Sequence, residues 1–385
     1  MLDWLSRFSL RRIITSNRFI PEVDGFRFVA IFIVVVSHIY LICIPKPIER
    51  GLLSSLLFRP FQNGKQGVYL FFTISGFILA LPFARHHLLM GKRVNLASYF
   101  KRRLTRLEPP YILAMLLRFP MILMYKQAAL AATALHLLAS LFYVHNLIYN
   151  QGSTINPPAW SLEIEIQFYI LVPLLVTVFR IRSTLVRQLV LLASTLIMGI
   201  VATTMIHPDS RLALCILNYA QYFLAGFLLC DIYLCKNLPR LSPLFWDLIA
   251  ALSLLWILFS RNEIYPVLLP FATILLYLGG FHGRIARAFF ASPAISIIGG
   301  MCYSIYLTHP LVLTLLQLIL KRSLQWLPYG LQSLLIFAVC LPSVLLLGMI
   351  YFVLIERPCM DPAWPQRLIT RWRVKVTSAI DTSKP

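Results

Sequence analysis

Arg27 and His38 stand eleven residues apart in the first apolar stretch, just after Asp24-Gly25-Phe26. Eleven steps of 100° amount to three turns plus about 20°, so the two side chains share a helix face, roughly 16 Å apart along the axis. Asp24 falls on that face too. An imidazole handles protons near neutral pH and a guanidinium holds anions in a fixed fork. Ionisable side chains at membrane depth are expensive, so such a row marks a functional site by default. The plainer account is a snorkelling arginine beside a histidine satisfied by a neighbouring helix.

A second concentration of charge lies between residues 85 and 110. Arg85, Lys92, Arg93, Lys101, Arg102, Arg103 and Arg106 face the single acid Glu108, with His86 and His87 beside them. On a helix, Arg102, Arg103 and Arg106 converge on one patch, suited to forked binding of phosphate oxygens. Pro109-Pro110 is expected to end this segment and start the next span. The same charge also serves as an ordinary topological signal or as a contact for anionic lipid headgroups. Nucleic acid is a poor fit, because no soluble module accompanies the basic residues.

Polar residues recur inside other apolar stretches. Ser75-Gly76 permits close helix approach in the segment from Gly67 to Phe77. Trp160, Ser161, Glu163, Glu165 and Tyr169 enter a span from a loop rich in proline. Ser161, Glu165 and Tyr169 follow i, i+4, i+8 spacing, while Glu163 and Gln167 occupy another face. An ion pair with a neighbouring helix would be the structural explanation of the two carboxylates. Tyr303, Tyr306 and His309 line a late span; they could hydrogen-bond a polyhydroxylated substrate or satisfy one another. Glu356-Arg357-Pro358 closes the last span and reads as structural.

The elements that must position these groups are membrane helices. Hydrophobic residues make up 59% of the 385-residue chain and charged residues 13%, against about one-quarter charged in soluble domains. The fold class expected is therefore all-α and polytopic, with about ten transmembrane helices. Apolar stretches fall near 26–44, 67–84, 111–147, 161–179, 184–206, 212–235, 243–260, 264–281, 293–319 and 330–355. If 111–147 crosses once and then lies on or re-enters the outer face, 24 lysines and arginines are cytoplasmic and 8 lie outside. A double crossing gives 15 inside and 17 outside, so the positive-inside rule favours ten spans with both termini cytoplasmic. Residues 1–20 suit a cytoplasmic amphipathic segment, residues 21–358 the transmembrane domain, and residues 359–385 a basic cytoplasmic tail. No small-residue cleavage site follows the first span, so a retained signal-anchor is expected in the inner (plasma) membrane. The seven cysteines suggest neither a disulfide framework nor a metal site. Obvious internal repeats are absent, which lends no support to an inverted-repeat transporter.

Taken in order from Asp24 to Pro358, these motifs resemble the acyltransferase-3 family of integral membrane acyltransferases. The matching pieces are Asp24-Gly25-Phe26-Arg27…His38, Phe71-Phe72-Thr73-Ile74-Ser75-Gly76-Phe77, Arg102-Arg103-Leu104-Thr105-Arg106, Trp160-Ser161-Leu162-x-x-Glu165, Tyr303-Ser304-x-Tyr306-x-x-His309-Pro310 and Glu356-Arg357-Pro358. Each is weak alone, and six in order are specific. Glu163 departs from a position commonly small or uncharged in relatives, and Glu108 from one commonly apolar. Some relatives also carry an SGNH hydrolase-like domain; with only residues 359–385 after the membrane unit, none is expected here.

The resemblance implies an O-acyltransferase that moves an acyl group, often acetyl, from acyl-CoA to a hydroxyl of an extracytoplasmic glycan such as O-antigen or exopolysaccharide. It implies no permanently bound cofactor, with acetyl-CoA as donor substrate held by Arg102, Arg103 and Arg106, and Ser75 close to it. His38 becomes general base or acyl carrier, Arg27 orients the donor, and Asp24 holds Arg27. Glu165 joins this catalytic group. Trp160, Ser161, Glu163, Tyr169, Tyr303, Tyr306 and His309 are candidates for binding the acceptor from the outer side. A competing class is a transporter or flippase of an anionic or glycosylated substrate, using buried His and Glu as relay groups. Release of CoA and labelling of an acceptor by purified protein discriminates the two.

Overall fold

The computed structural model describes residues 10–13, 19–44, 59–62, 64–126, 129–260, 265–361 and 363–366. Most of the expected amphipathic segment, most of the basic tail and part of the 45–66 loop lie outside the described residues.

All regular elements described are helical. In chain order the α-helices are α1 (Pro21–His38), α2 (Lys65–Leu88), α3 (Leu96–Lys126), α4 (Leu130–Leu141), α5 (His145–Tyr149), α6 (Trp160–Leu175), α7 (Thr184–Thr204) and α8 (Ala220–Cys235). Then follow α9 (Pro243–Phe259), α10 (Tyr265–His282), α11 (Ile285–Phe290), α12 (Pro293–Gly300), α13 (Cys302–Ser323), α14 (Tyr329–Tyr351) and α15 (Arg357–Cys359). Two five-residue π-helical turns, Ile39–Cys43 and Phe352–Glu356, continue α1 and α14. Eight helical stretches are long and apolar enough to cross a bilayer. Large apolar side chains such as Ile170, Leu174, Leu244, Leu334 and Leu354 face outward, while Asp24, Gln66, Glu163, Arg187, Asp231, His309 and Glu356 are buried. That inversion of the soluble pattern suits a lipid solvent. The protein is a multi-pass membrane protein of the inner or plasma membrane.

Helix α2 occupies the centre, against α1, α8 and α10. Its contact with α8 is backbone-close because both sides present glycine. A Cβ on Gly76 would meet the Phe223 carbonyl oxygen at 2.2 Å, and one on Gly226 the Thr73 oxygen at 2.3 Å. Tyr277 on α10 donates to the Leu70 carbonyl at 2.9 Å. On the opposite flank of α8, Arg187 of α7 pairs with buried Asp231, and Gln188 donates to the same carboxylate at 2.9 Å.

Three boundaries differ from the sequence expectation. First, α3 runs unbroken through Pro109 and Pro110, so the basic motif forms the early turns of a membrane helix and not a separate loop. Proline costs a helix one N–H and frees the carbonyl four residues back. Here the carbonyl freed by Pro109, that of Thr105, accepts from the Trp364 indole at 3.0 Å. Second, the stretch expected as one span at 293–319 breaks at Met301 between α12 and α13, behind the weak helix formers Gly299 and Gly300. Third, the stretch 212–235 is helical as α8 only from Ala220, after two short 3₁₀ turns. The twelve-residue α4 rises about 18 Å, short of the roughly 30 Å hydrocarbon layer.

Candidate functional site

Helix α1 starts with Pro21 in its first turn, and Glu22 and Asp24 lie beside the unpaired N–H groups there. Asp24 accepts from Arg27 Nη1 at 2.6 Å and pairs with Arg12 Nε at 3.0 Å. Gly25 lets α1 press against α11, since a Cβ there would sit 2.1 Å from the Phe290 carbonyl oxygen. Arg12 precedes the helix, and burial together with the facing Arg27 pulls its pKa down to about 10.

Arg12 and Arg27 open into a cavity of about 460 Å³ whose wall also carries Arg85, Arg102, Arg103 and Arg106. The six guanidiniums come from the pre-helical segment, α1, α2 and α3. Arg106 lies 3.6 Å from the buried Glu356, whose other oxygen accepts from Ser304 Oγ at 2.6 Å and from its backbone N–H at 3.1 Å. Arg103 stacks over Tyr169 at 4.8 Å and over Tyr99 at 5.2 Å, a cation–π arrangement that fixes the guanidinium plane. Among the described residues, no carboxylate lies within ion-pair distance of Arg85, Arg102 or Arg103. The arginine wall therefore carries uncompensated positive charge.

The same cavity lining also carries hydroxyl and carboxylate groups. Ser75 Oγ and the Tyr169 hydroxyl both donate to Glu165 Oε1, at 2.6 and 2.5 Å. Ser161, Glu165 and Tyr169 all face the cavity, as their spacing on α6 requires. Tyr303 lines the same space and donates to the Leu107 carbonyl at 2.9 Å. Tyr306 closes the far side. Its hydroxyl donates to the Pro158 carbonyl at 2.6 Å and contacts Ser161 Oγ at 2.7 Å.

Behind Tyr306 stands a histidine pair. The Tyr306 and His309 rings are 5.8 Å apart, and His309 Nε2 lies 3.2 Å from His38 Nδ1. His38 ends α1, directly before the π-helical turn. Such turns are frequent at functional sites. Neither histidine lines the cavity itself; Tyr306 does, and its ring stands beside His309.

The profile of one protein family, described as an acyltransferase domain, matches residues 20–353. The chain belongs to this acyltransferase family. Curated proteins similar to it include the O-acetyltransferase OatA of Staphylococcus aureus strain NCTC 8325, 25% identical over 323 residues, which cover 76% of this chain and 50% of OatA. A putative O-acetyltransferase of Staphylococcus aureus strain COL is 28% identical over 167 residues, 41% of this chain and 25% of that protein. The chain spans about half the length of OatA and less of the second relative. No solved structure matches it.

Within this acyltransferase chain, the site residues expected from sequence fall into three groups. Arg27, Ser75, Arg102, Arg103, Arg106, Ser161, Glu165, Tyr169, Tyr303 and Tyr306 share the cavity. Asp24, His38 and His309 lie one layer behind it. Glu163 and Trp160 stand apart. Glu163 Oε2 accepts the Asn146 backbone N–H at 2.8 Å, so this acid, on the face of α6 away from Glu165, secures the start of α5. Trp160 packs its ring on Tyr219 and Phe72. Tyr169, expected among the acceptor-binding residues, lies under the Arg103 guanidinium. Sequence reasoning missed Arg12 and Arg85 as cavity residues, although both were visible as charge near the membrane surface. Arg118, buried on α3 and bonded to the Ile155 carbonyl at 2.7 Å, gave no signal beyond being a lone arginine in an apolar run. Among the described residues no group of His, Cys, Asp and Glu could hold a metal.

Proposed function

We propose that this protein is a membrane-bound O-acyltransferase that moves an acyl group, acetyl by preference, from cytoplasmic acyl-CoA to a hydroxyl of an extracytoplasmic glycan. One observation carries the reading: six guanidiniums converge on a cavity whose lining residue Tyr306 stands beside a histidine pair. CoA carries a pyrophosphate and a further phosphate, and Arg12, Arg27, Arg85, Arg102, Arg103 and Arg106 would hold them. The apolar and tyrosine-lined depth suits the pantetheine arm. The hydroxyl acceptor arrives from the outer side, and transfer to oxygen is the chemistry of the similar O-acetyltransferases.

In this reading the acceptor oxygen attacks the thioester carbonyl, a C–O bond forms and the C–S bond breaks. His38 takes the hydroxyl proton and passes one to the departing thiolate. A transient acyl-histidine is the covalent form of the same scheme. Arg27, held by Asp24, orients the donor. Glu165, tied by Ser75 and Tyr169, shapes the space between donor and acceptor.

The topology we assign has ten spans, with both termini cytoplasmic. The eight long apolar stretches plus α8 and α9 supply the ten, and α4 with α5 stays at the outer face. This places Arg102, Arg103 and Arg106 on the side where CoA is made, and residues 21–358 form one catalytic unit.

Replacing His38 with Ala and quantifying ester-linked acetate on envelope glycans, at matched protein levels, tests the chemistry. Loss of about 10²–10⁴ in rate is expected for a general base; near-normal acetate would remove His38 from the mechanism. For the donor site, Arg102→Ala with Arg103→Ala should abolish retention of acetyl-CoA by the purified protein, and unchanged affinity would return this helix to a topological role.

A further inference from the structure

The histidine pair has a direction. His309 Nδ1 lies 3.1 Å from the Ile305 carbonyl oxygen, and a carbonyl only accepts. Nδ1 must therefore carry the proton. Pro310 adds a second acceptor: lacking an N–H, it leaves the Tyr306 carbonyl without its helical donor, and His309 bonds that carbonyl as well. With its proton on Nδ1, neutral His309 presents a lone pair at Nε2. The group facing that lone pair, 3.2 Å away, is His38 Nδ1, which must then be the donor. The Val34 carbonyl, one turn back on α1, is another acceptor for His38. His38 is thereby left with its proton on Nδ1 and a free lone pair on Nε2.

We propose that His309 is a positioning residue that locks His38 in the Nδ1–H tautomer, making Nε2 the nitrogen that takes the acceptor proton or the acyl group. The inference rests on the acyltransferase reading above and deepens it, since either role of His38 needs a lone pair on a nitrogen of fixed orientation. The second imidazole does three things. It fixes the ring orientation, it selects the tautomer, and it accepts a hydrogen bond that strengthens as His38 becomes positively charged. A carboxylate partner would do the same but would carry a net charge into the lipid layer, whereas a neutral imidazole does not. Inside the unbroken α13, Pro310 leaves the Tyr306 carbonyl as an acceptor beside the His309 ring, so Tyr306, His309 and Pro310 work as one unit.

Chain length at position 309 provides the test. A Gln carboxamide reaches where Nε2 stands and can place a carbonyl oxygen against His38 Nδ1–H. An Asn carboxamide reaches only to the Nδ1 position, keeping the backbone bonds but losing His38. Wild type, His309→Gln, His309→Asn and His38→Ala are purified and assayed for CoA release, with acetyl-CoA as the varied donor and envelope polysaccharide as acceptor. We expect His309→Asn to lose about 10²-fold or more in kcat with KM for acetyl-CoA unchanged, and His309→Gln to recover to within about tenfold of wild type. Wild-type kcat in His309→Asn would overturn the proposal, as would a His309→Gln enzyme that binds acetyl-CoA normally yet is as slow as the Asn variant. An active His38→Ala enzyme would instead sink the acyltransferase mechanism itself, so the two failures are distinguishable.

Discussion

Asp24→Asn removes the one carboxylate that two guanidiniums share. Asp24 is 1% exposed, and its oxygens lie 2.6 Å from Arg27 Nη1 and 3.0 Å from Arg12 Nε. The amide keeps the shape and one acceptor but drops the charge, leaving the two cations to repel each other. Removing one partner of a fully buried pair costs about 3–5 kcal/mol. The guanidiniums retain 16% and 19% exposure and face a cavity, so the lower end applies, about 3 kcal/mol. Large domains lose roughly 2 °C per kcal/mol, which gives a fall of about 6 °C in Tm. Thermal unfolding of detergent-purified protein measures it. Saturating acetyl-CoA should restore part of the loss, because its phosphates supply the missing negative charge. A Tm within about 1 °C of wild type without ligand would refute the reasoning, since it would mean that Asp24 does not hold the arginine pair.

Arg103→Lys keeps the charge but loses the planar stack on Tyr169 and Tyr99; KM for acetyl-CoA should rise about tenfold, and an unchanged KM would show that point charge alone suffices. Gly76→Ala forces α2 away from the Phe223 carbonyl and should destabilise the protein by about 2–3 kcal/mol in unfolding assays, whereas unaltered stability would mean the helices part freely. His145, in the short α5 outside the spanning helices, is shifted down by burial. Its neutral form contributes stability that is present above about pH 6.5 and lost as acid protonates the unfolded chain first. Tm should therefore fall between pH 7 and 5, less steeply in His145→Gln; equal slopes would discount this residue.

Much of the site is legible in residue spacing. Arg27 stands one turn from Asp24, and Ser161, Glu165 and Tyr169 occupy one stripe of α6, because a helix fixes side-chain direction from sequence separation alone. The helical, lipid-embedded class follows from composition, since a chain this apolar and this poor in charge has to satisfy its backbone internally. Local rules fail where a distant group supplies the missing partner. Pro109-Pro110 reads as a boundary, yet α3 continues because Trp364, more than 250 residues later, takes the freed Thr105 carbonyl.

The sequence by itself determined which residue types enter the membrane, on which face of which helix, and where positive charge accumulates. Only the tertiary structure decided their partnerships: Arg12 joining Arg27 at Asp24, Tyr169 lying under Arg103, Glu163 turning away to cap α5, and His309 meeting His38. Helical periodicity is a local property set by 3.6 residues per turn. Which helix lies beside which depends on packing between segments far apart in the chain, such as the glycine-to-carbonyl contact of α2 with α8, and no spacing within one helix encodes it.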